Sequence, residues 1–271
     1  MFFSIELQNF YREINQPDEQ INLARASLYY AQTEYPDLEP DEYINALDTM
    51  AQELEERIEE KRYPLKVISL INQYLYKDLG FSGNTIDYYD PRNSYLNEVL
   101  ERRLGIPITL AVVYLEIAWR IDFPMVGIGM PGHFLIRPEF KDVGIFVDPF
   151  NRGEILFEQD CQRLLNRVYQ EPIRFEPYFL APVGNREILA RILTNVKYIH
   201  ISRQDLTKAL SAVQSILLLF PDNPREIRDR GLLYYQLEEW QKAFEDLTDY
   251  LSMSPDADDA QIIRQLLEKI N

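Results

Sequence analysis

At 271 residues the chain is long enough for one large domain or two modest ones, and 46% hydrophobic with 27% charged residues is the balance of a globular sequence. A net charge of −16 repels a duplex or an anionic membrane, so nucleic-acid and lipid binding are not expected. No apolar run nears the roughly 18 residues that span a bilayer, the opening Met1–Leu7 lacks a basic flank, and the one cysteine, Cys161, allows no internal disulfide, so no signal peptide and no membrane insertion are expected and the assignment is cytoplasmic.

The first 80 residues read as helices. Tyr43, Ile44, Leu47, Met50, Ala51, Leu54 and Ile58 recur at three- and four-residue spacing and predict an apolar stripe beginning at Pro40. A second stripe, Leu65, Ile68, Ile71 and Leu75, follows the break at Pro64. Between Glu34 and Glu60 stand eleven acids against one base, Arg57. That run is a solvated face or a docking surface for a basic partner. Gly80 to Pro91 is turn-rich and reads as a loop.

Ser94 to Leu104 predicts a short helix capped at Gly105. Pro107 then opens a helix that is apolar on nearly all sides and therefore central. Met125–Gly129, His133–Arg137 and Ile145–Asp148 are short runs suited to a small antiparallel sheet. In the tail, Leu206 and Trp240, Lys208 and Lys242, Ala209 and Ala243, Pro221 and Pro255, and Asp222 and Asp256 each lie 34 residues apart. A period of 34 with small residues at helix contacts is the tetratricopeptide signature.

Three pieces stand in the order of a catalytic constellation. They are Gly105-Ile106-Pro107-Ile108-Thr109-Leu110-Ala111, then Pro131-Gly132-His133-Phe134, then Phe146-Val147-Asp148-Pro149. Over about residues 93 to 150 this resembles the transglutaminase-like proteins, whose central helix begins with a Gly-x-Cys step and is followed by a histidine strand and an aspartate strand. With the helical N-terminus and the repeats, the chain resembles a bacterial transglutaminase-like family carrying tetratricopeptide repeats. The resemblance aligns Gly105 with the glycine, Ala111 with a small helix residue, Phe123-Pro124 with the pair after the helix, His133 with the histidine and Asp148 with the aspartate. Pro107 falls where the cysteine would stand. In active relatives a thiolate at the helix N-terminus attacks an acyl carbonyl while histidine shuttles the proton and aspartate holds its tautomer. Proline has no nucleophilic atom and no N–H, but its fixed φ suits the first helical position.

The expected fold is α+β: a helical N-terminal part and a transglutaminase-like, papain-type core with a small antiparallel sheet at 1–180, then all-α tetratricopeptide helix pairs at 185–271. The first reading of function is a non-catalytic protein-binding or scaffold module with a protein or peptide partner. The alternative is a cysteine-independent hydrolase or acyltransferase using His133 and Asp148, with Thr109 or an activated water as nucleophile. His133 and Asp148 are vestigial candidates, and they could equally be a buried hydrogen-bond pair. Cys161 shares a predicted helical face with Phe157, Leu164 and Leu165 and reads as a small buried hydrophobe. His200 reads as a helix residue of the repeats. With two histidines and one cysteine, no zinc site is expected, nor any other cofactor.

Overall fold

In the computed structural model, which describes residues 5–59, 63–140 and 144–270, the chain opens with helices α1 (Ile5–Ile14), α2 (Leu23–Ala31) and α3 (Pro40–Glu55). Pro40 occupies the first turn of α3, and Ile44, Leu47, Met50, Ala51 and Leu54 bury the predicted stripe. Helix α4 (Pro64–Asn72) runs on into a π-helical turn, Gln73–Asp78. Ile68, Ile71 and Leu75 of the second stripe are buried, but Leu65 is exposed on the first turn.

A two-residue strand, β1 (Ser82–Gly83), breaks the predicted loop, and α5 (Leu96–Arg102) is followed at once by β2 (Leu104–Gly105). Gly105 is therefore not the cap of α5. Arg103 takes the left-handed conformation at φ 59°, and Gly105 pairs in parallel with Gly83. Glycine is required there because a Cβ would lie 2.9 Å from Thr109 Oγ1 and 3.0 Å from Leu110 Cγ. Helix α6 (Pro107–Arg120) starts on its proline and is buried from Pro107 to Ala118. Its one buried acid, Glu116, accepts from the Ala24 N–H at 2.8 Å and pairs with Arg120. A charge inside the core is thus neutralised while the start of α2 gains an acceptor.

Strands β3 (Met125–Ile128), β4 (Leu135–Pro138), β5 (Phe146–Asp148), β6 (Glu154–Leu156) and, beyond helix α7 (Glu158–Tyr169), β7 (Pro182–Val183) form an antiparallel sheet in the order β6-β5-β4-β3-β7. Helix α6 packs against β3 and β4. The histidine does not begin a strand. His133 stands in a turn where its N–H donates to the Met130 carbonyl at 3.2 Å, and Gly132 takes φ +70°, so β4 starts two residues later.

The chain divides into two compact units, Met1–Leu189 and Ala190–Asn271. Helix α8 (Asn185–Ser202) runs through the point of division, and α9 (Leu206–Leu219), α10 (Pro224–Gln236), α11 (Trp240–Met253) and α12 (Ala260–Ile270) follow. The 34-residue period is visible in the backbone. Gln204 and Glu238 are both left-handed, at φ 59° and 61°. Asp205 N donates to His200 O and Glu239 N to Tyr234 O, each at 2.9 Å. Ala209 and Ala243 are both fully buried. Gly231 lets α10 approach α11, since a Cβ there would meet Leu247 at 2.9 Å.

Candidate functional site

The site is built on the end of β5 and the turn that precedes β4. Asp148 closes β5, and the next five residues turn back on it. Its Oδ1 accepts the Phe150 N–H at 3.0 Å and the Asn151 N–H at 3.2 Å. Its Oδ2 accepts Asn151 Nδ2 at 2.7 Å and lies 2.9 Å from His133 Nε2. Burial pushes the Asp148 carboxyl up, but the bond and charge of His133 and the bonds from Asn151 outweigh it and hold it below the usual carboxylate range. An ionised Asp148 is an acceptor only, so His133 Nε2 carries a proton and donates it to Oδ2.

The turn is braced from below. Gly153 N donates to the Asp148 carbonyl at 2.8 Å, and Asn72 Nδ2 donates to Gly153 O at 2.7 Å. Asn72 Oδ1 in turn accepts from the Tyr114 hydroxyl at 3.0 Å. One turn beyond Asn72, the Tyr76 hydroxyl is buried with no hydrogen-bond partner among the described residues. Burial, with Tyr114 and Asp148 nearby, pushes that phenol well above its ordinary range.

Pro107 occupies the first turn of α6. It connects to the histidine through packing: Gly105, two residues before it, pairs with Gly83. The Phe150 ring lies where a Gly83 Cβ would be, at 2.6 Å, and meets the His133 ring edge-on at 6.3 Å. Thr109 is engaged locally. Its hydroxyl accepts the Ile106 N–H at 3.1 Å and donates to Asn93 O at 2.7 Å, which caps the helix start.

Cys161 is fully buried and packs with Ile128, Met130, Leu135, Phe146 and Leu156. Burial pushes its thiol up to about 12. Phe157 does not share that face; it precedes α7 and is exposed. His200 is buried in α8, with Nδ1 3.8 Å from Asp205 Oδ2. Among the described residues no three His, Cys, Asp or Glu side chains converge as a metal-holding group. Two open clefts, of about 430 Å³ beside Asp48 and Arg120 and about 850 Å³ beside Phe157 and Phe175, are not lined by His133 or Asp148.

Sequence reasoning missed Asn72, Tyr76, Phe150 and Asn151. Only Asn151 left a signal, as an Asx residue three places after Asp148 in a turn opened by Pro149.

A buried helix that starts on Pro107, an antiparallel sheet and a hydrogen-bonded histidine–aspartate pair make up a transglutaminase-like core. Residues 41–194 match the transglutaminase-like superfamily and residues 196–268 match a tetratricopeptide repeat. The chain belongs to the transglutaminase-like superfamily and carries tetratricopeptide repeats after its core. It is 39% identical over 254 residues to a UPF0162 protein of Xylella fastidiosa, covering 91% of this chain and 89% of that one. A UPF0162 protein of Vibrio cholerae is 33% identical over 190 residues, 70% of each chain. Mouse F-box only protein 21 is 28% identical over 192 residues, 69% of this chain and 30% of its own length. Among solved structures, a crystal structure of menin aligns with a TM-score of 0.42 at 12% identity, over 98% of this chain and 74% of that one.

Proposed function

We propose that the protein is a non-catalytic member of its superfamily that acts as a protein-binding or scaffold module, through a groove of its transglutaminase-like core and through its helical repeats. The observation that carries this reading is Pro107 at the first turn of α6. A thiolate there would have the helix N-terminus to stabilise it, whereas proline supplies neither a nucleophile nor an N–H for an oxyanion. The nearest hydroxyl in sequence, Thr109, is bonded to Ile106 and Asn93. The groove-bearing domain is 1–180 and the repeat domain 185–271, both cytoplasmic. A basic partner fits the net charge of −16.

One observation favours a second reading. His133 and Asp148 stand 2.9 Å apart, the geometry of a general base with its orienting carboxylate. On that reading the pair activates a water or Thr109, and the protein is a hydrolase or acyltransferase. Mass spectrometry of the wild type after incubation with an activated amide or a peptide library separates the two. The binding reading expects no covalent adduct, and no turnover for His133→Ala to abolish. An adduct on Thr109, or turnover lost in His133→Ala, makes the protein an enzyme.

A further inference from the structure

The Phe150 ring has an unusual set of neighbours. One wall is the bare backbone of Gly83, which a Cβ would bring to 2.6 Å from ring atoms Cδ2 and Cε2 and 2.9 Å from Cζ. A second is the His133 imidazole, edge-on at 6.3 Å and 83°. The third is Tyr88, at 6.0 Å and 73°, itself packed on Tyr89 at 5.3 Å. A flat floor with two perpendicular rings is the shape that receives another aromatic ring.

These walls are held firmly. The loop that carries Tyr88 is fixed by two buried amides. Asn84 Nδ2 donates to Asn93 Oδ1 at 3.1 Å, and Asn93 Nδ2 donates to the carbonyls of Asp87 and Tyr88 at 2.8 and 3.2 Å. Asn84 Oδ1 accepts the Asp87 N–H at 3.0 Å. Yet the same loop turns Ile86 and Tyr89 out to water, 99% and 71% exposed. Phe150 lies at the boundary, half-buried. Its backbone is pinned through its N–H to Asp148 Oδ1, so rotation about its Cα–Cβ bond would move the ring and leave the Asp148 turn intact.

We propose that Phe150 is the built-in occupant of an aromatic subsite beside His133, and that a partner's phenylalanine or tyrosine side chain binds there by taking the ring's place. This rests on the groove-binding reading and names the side-chain class the groove selects. Ile86, Tyr88 and Tyr89 form the apolar approach to the subsite, and Gly83 is glycine because a side chain would fill it.

The test measures how well His133 is shielded. Diethyl pyrocarbonate acylates imidazole nitrogen, and peptide mass spectrometry reports His133 separately, with His200 as internal reference. Phe150→Ala should raise the His133 rate by about tenfold relative to wild type, the size of effect expected from losing an edge-on ring contact. In that variant N-acetylphenylalanine amide should restore protection, and N-acetylglycine amide should not. Phe150→Leu, which keeps apolar bulk and guards against a misfolded alanine variant, should give an intermediate rate. Equal rates in the wild type and both variants overturn the proposal, as does equal protection by the two amides. Detection of turnover would remove the binding reading yet leave these rates unchanged, so the two failures are told apart.

Discussion

At the scale of single residues, Asp148 is the best-connected side chain of the site. Its folded carboxyl is held below the usual range, so its contribution is present above the unfolded pKa, about 4, and is lost as pH falls through the lowered folded value. Asp148→Asn should remove this acid limb from a plot of stability against pH. It should also cost about 1–3 kcal/mol at neutral pH, because an amide has one acceptor oxygen where the carboxylate has two, so Asn151 Nδ2 and His133 Nε2 lose theirs; urea unfolding across pH checks both. Cys161 offers a second prediction: with its thiol raised to about 12 by burial, it should react with iodoacetamide at pH 7 far more slowly than a free thiol. Rapid labelling of the native protein would place Cys161 outside the core. His133, Asp148 and Pro107 were legible through the resemblance to the transglutaminase-like proteins, carried by the Gly-Ile-Pro, Pro-Gly-His-Phe and Val-Asp-Pro pieces. The brace from Asn72 was not, since it reaches Gly153 across 81 positions.

Among the elements, helix α6 was readable because its sequence is apolar on all sides and opens on a proline. Short strands were placed less well: His133 fell in a turn and Gly105 in a strand, because pairing with β1 rather than local propensity decides where α5 stops. The repeat helices hold a feature that periodicity does not encode. Lys197 of α8 is buried, its Nζ 2.7 and 2.9 Å from the Glu226 oxygens and 2.9 Å from Asp229 Oδ2 in α10. Asp229 also binds Arg228, which reaches Asp259 at 2.8 Å, and Asp259 accepts from the Tyr250 hydroxyl at 2.5 Å. Burial alone would lower the Lys197 pKa, but the two carboxylates raise it. Lys197→Met should therefore cost about 3–5 kcal/mol, since it leaves Glu226 buried without a cation and Asp229 with Arg228 alone. The double variant Lys197→Met/Glu226→Met should recover part of that loss, measured by the urea midpoint. A single variant as stable as wild type would mean that the ion pair contributes nothing to holding α8 on α10.

For the whole molecule, charge is the property with the plainest consequence. At −16 the protein should not retard duplex DNA in a gel at about 0.01 M salt, where the Debye length is near 30 Å and long-range repulsion acts. Retardation that disappears at higher salt would reveal a basic patch that net charge conceals. No helix among the described residues is long and apolar enough to cross a membrane. The sequence by itself determined the α+β class, the central helix on Pro107, the repeat period and that position 107 carries no thiol. These are local facts, set by the spacing of apolar residues, by the fixed φ of proline and by which atoms a side chain carries. The tertiary structure decided that Asp148 meets His133, that Phe150 lies against His133 and that Lys197 is buried between two carboxylates. Each depends on groups brought together by packing from distant parts of the chain, and a one-dimensional pattern does not carry that geometry.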